Sequence, residues 1–468
     1  MKAKRWNRMK RLFTALITVL LLDVLLLLLP VIRKPSDTKG SGRENISGAE
    51  LLNEMPEGED LPVSDSAIND AGEAVQPGSD LCIPSGGTGK ETSAESSATV
   101  REDGSSAPAK DNSGFYTKPV SGDPGQPADE DGTVTLCLMG DLMCLAGQQY
   151  TAERGDGTHD YTDSFYLLRD TFAVCDFVIG NLETTLSESN PYSTAEREVN
   201  EQPNCNAPAD YLASLKWAGI THLVTANNHS LDGGAVGVRE TLAHLDEYGI
   251  PHTGTYREDY EGSRYMMLEK NGIRIAVLSF TELINQRALV TPPQLSRMID
   301  SYSRADVGDR IAQARADGAD FVIVYEHWGS ENVHEVRSYQ RQHAEEIAAA
   351  GADLIIGSHP HCLQETETIV TEDGRSVPCF YSLGNVVSSM TRDINHDTVF
   401  VQVTLQRQNA GDSAGIVAAA SINLLLCHVL TYLDGHYRVI TPVGYRTDDE
   451  KAAAELAAAK IRINAIFP

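Results

Sequence analysis

The stretch that decides the reading of this chain is Thr225-Ala226-Asn227-Asn228-His229-Ser230-Leu231-Asp232-Gly233-Gly234. It follows an apolar run, Ile220 to Val224, whose pattern predicts a buried strand. It precedes a predicted helix, Ala235 to Tyr248. Two amides, an imidazole, a carboxylate and two glycines lie between them, a density of polar groups that packing does not require. In open α/β sheets, ligands bind beyond the carboxyl ends of the strands. This segment is therefore read as one wall of a site.

Other strand ends supply the remaining walls. Thr133 to Met139 is a predicted strand closing in Gly140-Asp141-Leu142-Met143. Phe177-Val178-Ile179 closes in Gly180-Asn181-Leu182-Glu183. Phe321 to Tyr325 closes in Glu326-His327-Trp328-Gly329-Ser330-Glu331, and Leu354-Ile355-Ile356 in Gly357-Ser358-His359-Pro360-His361. Each motif alone has a structural reading. Asp141 is either a metal ligand or a turn cap. A single histidine at a strand end is commonly hydrogen-bonded scaffold, and Trp328 reads as wall or core. Their recurrence favours a shared site. Asp141, Glu183, Asn228, His327, His359 and His361 are the oxygen and nitrogen donors that hard and borderline divalent ions take. Such an ion, Mn, Fe, Zn or Mg, would polarise a phosphoryl or carbonyl oxygen and activate water. His229 is the candidate proton donor to a leaving group. Asp232 either orients His229 or caps the following helix, and Gly233 and Gly234 would let backbone approach a ligand.

The elements between these ends alternate as an α/β protein does. Helices are predicted over Asp163 to Thr171, Pro208 to Ala218, Asp306 to Ala316, Tyr339 to Ala350 and Asp449 to Ile463. Ser187 to Asn206 is polar and turn-rich, a surface loop. Met266 to Leu278 contains Asn271-Gly272 and reads as a hairpin. Val399 to Leu405, Ile422 to Leu426 and Tyr437 to Ile440 are further strands of mixed direction.

The chain's 468 residues carry a net charge of −28. From residue 131 on, 24 Lys and Arg stand against 46 Asp and Glu, a net of −22. So acidic a surface argues against nucleic acid and against flat binding to anionic lipid. The eight cysteines include no Cys-x-x-Cys pair, which argues against a zinc knuckle or a thioredoxin-like site.

The N-terminus reads differently from the rest. Residues 1–11 hold six basic side chains, and residues 12–32 are almost wholly apolar, with Asp23 the only charge. That length spans a hydrocarbon core of about 30 Å, with the basic flank cytoplasmic. A cleaved signal peptide is the competing reading, but Val31-Ile32-Arg33-Lys34 offers no small-residue cleavage site. Residues 33–130 read as a disordered acidic linker: from residue 35 they hold 19 acidic and 6 basic side chains, too polar to offset ordering entropy. The expected order is cytoplasmic tail, signal anchor, linker and an extracellular domain over 131–468. Asp23 near mid-membrane costs about 2.5–3.5 kcal/mol, which the many leucines of the span can absorb; a membrane partner facing Asp23 is the less favoured reading.

Taken together, Gly140-Asp141-Leu142-Met143, Asn181-Leu182-Glu183, Ala226-Asn227-Asn228-His229 with Asp232 and Gly234, His327-Trp328-Gly329 with Glu331, Gly357-Ser358-His359-Pro360-His361 with Gln364, and Tyr381-Ser382-Leu383-Gly384-Asn385 resemble the capsule-synthesis CapA family. That family includes the poly-γ-glutamate synthesis accessory protein. The likeness covers residues 133–390. It implies a fold similar to calcineurin-like metallophosphatases, a β-sandwich flanked by helices. It matches Asp141, Glu183, Asn228, His327, His359 and His361 to metal-ligand positions and His229 to the catalytic histidine. Met143 stands where the phosphatases have a second ligand, a histidine, and Glu183 stands for an aspartate. Val386 replaces the family's usual Phe. The implied role is a membrane-anchored accessory protein of capsule or poly-γ-glutamate synthesis or export. It would work with membrane-bound polymer synthase subunits and an anionic extracellular polymer. Two alternatives are a metallophosphoesterase acting on an extracellular phosphoester and a non-catalytic scaffold for a polymer synthase.

Overall fold

A computed structural model describes residues 132–189, 205–408 and 415–467. The expected cytoplasmic tail, anchor and linker lie outside the described residues, as does most of the Ser187 to Asn206 loop. Among the described residues, no helix is long and apolar enough to cross a membrane.

Two sheets face each other. In the first, β1 (Thr133–Leu142) runs parallel to β2 (Phe177–Leu182), which is followed by β3 (His222–Val224) and β4 (His252–Thr253). The second begins with the hairpin of β5 (Met266–Lys270) and β6 (Ile273–Thr281). It continues in parallel through β7 (Phe321–His327) and β8 (Leu354–Ser358). Next to β8 lies β10 (Ser376–Leu383), which pairs antiparallel with the edge strand β9 (Leu363–Val370). Short β11 (Asn385–Val387) crosses back to pair with β1. Three antiparallel strands then complete the first sheet on the other side of β1: β12 (Asp397–Arg407), β13 (Val417–Leu433) and β14 (His436–Pro442). The hairpin turn is where the sequence puts it: Asn271 and Gly272 both have positive φ, 51° and 72°.

Helices cover the outer faces. On the first sheet lie α1 (Ala146–Ala152), α2 (Arg169–Ala173), α3 (Asp210–Ala218) and α4 (Gly234–Glu247). Short α5 (Pro292–Met298) packs beside α4. On the second sheet lie α6 (Arg304–Ala316) and α7 (Ser338–Ala350). The last helix, α8 (Glu450–Ile466), is capped by the Asp449 carboxylate, which accepts from the backbone N–H of Lys451 and Ala452. The continuous helix expected over Asp163 to Thr171 is broken. It is a 3₁₀ turn at Thr162–Ser164, then an irregular stretch, then α2; Asp160 accepts from the Thr162 N–H at the start of the 3₁₀ turn, a local bond that competes with helix, and Asp163 is drawn to His436.

Strand parity explains the layers. Successive side chains on a strand point to opposite faces. On β1, Leu136 and Leu138 enter the core between the sheets, while Cys137 and Met139 enter the core under the helices. On β7, Phe321, Ile323 and Tyr325 face between the sheets, whereas Val322 and Val324 pack with α6 and α7. The result is a helix–sheet–sheet–helix sandwich with three apolar cores, and the inter-sheet core ends at the carboxyl ends of the parallel strands.

Candidate metal centre

The same parity carries the polar residues into one place. On β2, Ile179 faces between the sheets, so Asn181 and Glu183 do as well. On β7 and β8 the pattern continues to His327 and to Ser358. β1 needs a correction to join them. Met139 and Leu142 both face the helices although they lie three positions apart, an odd offset, so the strand slips register between Leu138 and Asp141. That slip turns Asp141 inward. Gly140 permits it, because a Cβ there would lie 2.1 Å from the Gly384 carbonyl oxygen.

Asp141 is fully buried. Its Oδ1 accepts from Asn181 Nδ2 at 2.7 Å and its Oδ2 accepts from the His359 backbone N–H at 3.0 Å. Asp141 therefore caps no turn of its own segment; its carboxylate reaches across to Asn181 and to the turn at His359. Burial opposes its ionisation, but the hydrogen bond from His361 and the neighbouring His327 outweigh it and hold the carboxyl below its ordinary range. Glu183 is also fully buried, and neither of its oxygens has a hydrogen-bond partner among the described residues. Its Oε1 lies 3.6 Å from His327 Nε2 and 3.7 Å from His361 Nε2. Burial, then the charge of Asp141, push the Glu183 carboxyl well up.

The imidazoles close the ring. His327 Nε2 lies 2.9 Å from Asn228 Oδ1 and 3.1 Å from His359 Nδ1, while its Nδ1 is 2.9 Å from Ser358 Oγ. Burial pushes His327 well down and His359 down to about 4. Burial also works against charge on His361, but Glu183 and Asp141 overcome it and push this imidazole up to about 10. His359 and His361 both adopt positive φ, 95° and 55°, a costly backbone for non-glycine residues that clusters at functional sites. His361 Nδ1 is held by Asn385 Oδ1 at 2.9 Å.

The opening stretch forms the last wall. Asn227 Nδ2 donates to Asn181 Oδ1 and to the Leu182 carbonyl, and its Oδ1 accepts from the His229 backbone N–H. Asp232 Oδ2 meets His229 Nδ1 at 2.7 Å and accepts from the Cys205 backbone N–H at 2.6 Å. Gly233, not Asp232, occupies the cap of α4, and no side chain caps it. The structure thus favours the orienting reading of Asp232. Gly234 is left-handed, φ 61°, so its backbone conformation accounts for the glycine. Trp328 is core, fully buried, with Nε1 donating to the Tyr381 carbonyl. Met143 packs with Leu145, Cys205 and Met390.

All eight side chains singled out in the sequence therefore lie around one buried centre. Four sets of donors lie close enough to share an ion: Glu183, His327 and His359; Asp141, Glu183 and His361; Glu331, His359 and His361; and, at the last wall, Cys205, His229 and Asp232. The orphaned Glu183 carboxylate and this oxygen–nitrogen donor set fit a divalent metal. Sequence reasoning quoted Asn181, Asn227, Ser358 and Asn385 in its motifs without giving them a role of their own; they hold the ligands rather than supply them, while Glu331, also quoted without a role, joins one donor set. Their polarity at strand ends was the available signal.

Residues 135–390 match the family model described as bacterial capsule synthesis protein PGA_cap, and the chain belongs to that family. It is 28% identical over 284 residues to the PGA biosynthesis protein CapA of Bacillus subtilis, covering 60% of this chain and 70% of that one. It is also 28% identical over 282 residues to the capsule biosynthesis protein CapA of Bacillus anthracis, covering 59% of this chain and 65% of that protein. Among solved structures it is similar to the calcineurin-like phosphoesterase YfkN of Bacillus subtilis, at 13% identity and a TM-score of 0.40, covering 71% of this chain and 98% of that one.

Proposed function

We propose that this chain is a membrane-anchored accessory protein of capsule or poly-γ-glutamate synthesis or export, with its folded domain outside the cell and a metal-dependent hydrolase or transferase site. Family membership and the two CapA relatives support the capsule role. The apolar segment at 12–32 with its basic flank supports the anchor. The observation that carries the site is Glu183, a fully buried carboxylate with both oxygens unpartnered among the described residues and imidazole nitrogens less than 4 Å away. An unpaired buried carboxylate is costly; a bound cation removes that cost.

Asp141, Glu183, Asn228, His327, His359 and His361 would hold the ion. When bound, it supplies Lewis acidity toward a phosphoryl or carbonyl oxygen of the substrate. Asp232 fixes the Nδ1 side of His229, which leaves Nε2 for proton delivery to a leaving group. Asn181, Asn227 and Asn385 keep these groups in place. The partners in this reading are membrane-bound synthase subunits, met through the span, and an anionic extracellular polymer. Divalent cations would bridge that polymer to the acidic domain.

Elemental analysis of the purified protein, paired with polymer yield from cells carrying His327→Ala, tests the reading. Bound divalent metal in the wild type and lost polymer in the variant are expected. A metal-free protein and unchanged polymer output would overturn it. Protease access to the domain on intact cells tests the orientation, and full protection would refute the extracellular placement.

A further inference from the structure

Arg438 lies on β14, outside the metal centre, and its charge is uncompensated. Among the described residues it makes no hydrogen bond and no ion pair, and its Nε is buried without a partner. A buried donor left in this way calls for an explanation, because it carries its full desolvation cost. Burial pulls the guanidinium pKa down, with no carboxylate offsetting it. The backbone is unusual at the same residue. Its φ is 53°, and the β13–β14 ladder skips it between the pairs Leu430–Val439 and Tyr432–Tyr437. Such a conformation is costly for a side chain other than glycine, and it clusters at ligand sites.

The guanidinium is seated against α1. A Cβ at Gly147 would lie 3.0 Å from Arg438 Nη2 and 3.0 Å from Ser389 Cβ, so the glycine leaves room for both side chains. Arg438 and its neighbour Tyr437 line a cleft between α1, the 3₁₀ turn at Thr162–Ser164 and β14. Two carboxylates also line it, and both are committed elsewhere. Asp160 pairs with Arg154 at 2.7 Å, and Asp163 with His436 Nδ1 at 2.8 Å. The cleft therefore holds a positive group that no acidic side chain neutralises. A guanidinium presents its N–H groups as a planar fork, which matches the paired oxygens of a carboxylate or a phosphate.

We propose that Arg438 is an anion-binding residue that takes one oxyanion, a carboxylate or a phosphate group, in the cleft between α1 and β14. Ser389, whose hydroxyl borders the same space as Nη2, adds a neutral donor. The site is separate from the metal centre, since Arg438 belongs to none of the donor sets there. It is joined to that centre through the chain. Ser389 follows Ser388, whose Oγ accepts from Asn385 Nδ2 at 3.0 Å, and Asn385 holds His361. On the function proposed above, on which this last step rests, the oxyanion is a carboxylate of the anionic polymer. Arg438 then gives an acidic domain a fixed positive contact for an acidic ligand.

The test is calorimetric titration of the purified full chain in detergent, treated with chelator so that no probe is held by metal. The probes are inorganic phosphate and a short γ-linked glutamate oligomer, with chloride at matched ionic strength as the control for screening. The wild type is expected to bind a probe and to melt at a higher temperature in its presence. Arg438→Gln should bind that probe about ten-fold or more weakly, as expected for losing hydrogen bonds from a charged donor. Gly147→Ala, which crowds Nη2, should weaken it as well, and carries the decision should Arg438→Gln fail to fold. Tighter binding of the oligomer identifies a carboxylate ligand, and tighter binding of phosphate a phosphate. Because the readout needs neither metal nor polymer output, failure of the proposed function and failure of this site are told apart. Equal binding by the wild type, Arg438→Gln and Gly147→Ala, or a response no larger than that to chloride, would overturn the proposal.

Discussion

The carboxylate of Asp232 holds two things at once: the imidazole of His229 at 2.7 Å and the backbone N–H of Cys205 at 2.6 Å, both through Oδ2. His229, the proposed proton donor, and the chain segment beside it are therefore fixed by one atom.

Asp232→Asn should separate these two duties from metal binding. An amide can present its N–H to His229 and favour the wrong ring tautomer. Polymer output is expected to fall about 10²–10⁴-fold toward the level of His229→Ala, with metal content unchanged by elemental analysis. Loss of metal in this variant would place Asp232 among the groups that build the centre.

Glu183→Gln should abolish metal loading and yet raise the melting temperature of the metal-free protein. A carboxyl whose pKa is raised on folding destabilises the fold above about pH 4.5, where the unfolded chain ionises. The amide has no such penalty. Paired thermal melts of chelator-treated wild type and variant check this, and a lower melting temperature in the variant would show that Glu183 is paired without metal.

His361 gives a pH dependence of the opposite origin. Its folded pKa, pushed up to about 10 by Glu183 and Asp141 against burial, lies above the ordinary value of 6.5. The stability it contributes is complete below about pH 6.5 and is lost as pH rises toward 10. Chelator-treated protein should therefore lose stability across that window. Mn²⁺-loaded protein should lose less, because a metal ligand is already the neutral imidazole. Denaturation curves at pH 6.5, 8 and 9.5, with and without Mn²⁺, measure the difference.

Gly140→Ala tests the register slip that aims Asp141. The new methyl would lie 2.1 Å from the Gly384 carbonyl oxygen, which neither strand can yield without moving Asp141 or Asn385. A loss of about 3 kcal/mol is expected in urea denaturation, together with loss of metal. A variant with wild-type stability and metal content would mean that β1 reaches the site without this close approach.

Much of the site was legible because strand parity and chemistry agree. An apolar run followed by a carboxylate or imidazole marks both a buried strand and its functional end, as at Ile179 to Glu183 and Tyr325 to His327. The register slip in β1 was not legible, since it depends on Gly384 from 244 residues later in the chain. Nor was the role of Asn385, whose partner His361 is fixed by an unusual backbone conformation. The helix predicted over Asp163 to Thr171 failed for a related reason: the Asp163 carboxylate is committed to His436, 273 residues away, which local periodicity does not see.

The register slip in β1 also bears on how the protein comes to be active. Asp141 and His361 lie on different sheets and more than 200 residues apart in the chain, and the slip that aims Asp141 forms only when Gly384 arrives. Contacts of such sequence separation close late and slowly. An ion that needs both groups cannot bind tightly to an N-terminal fragment or a half-assembled sandwich. If the proposed ion is bound, its capture would act as a proofreading step in biogenesis: a chain would gain the ion, and the added resistance to unfolding that comes with it, only after the last parallel strand has docked.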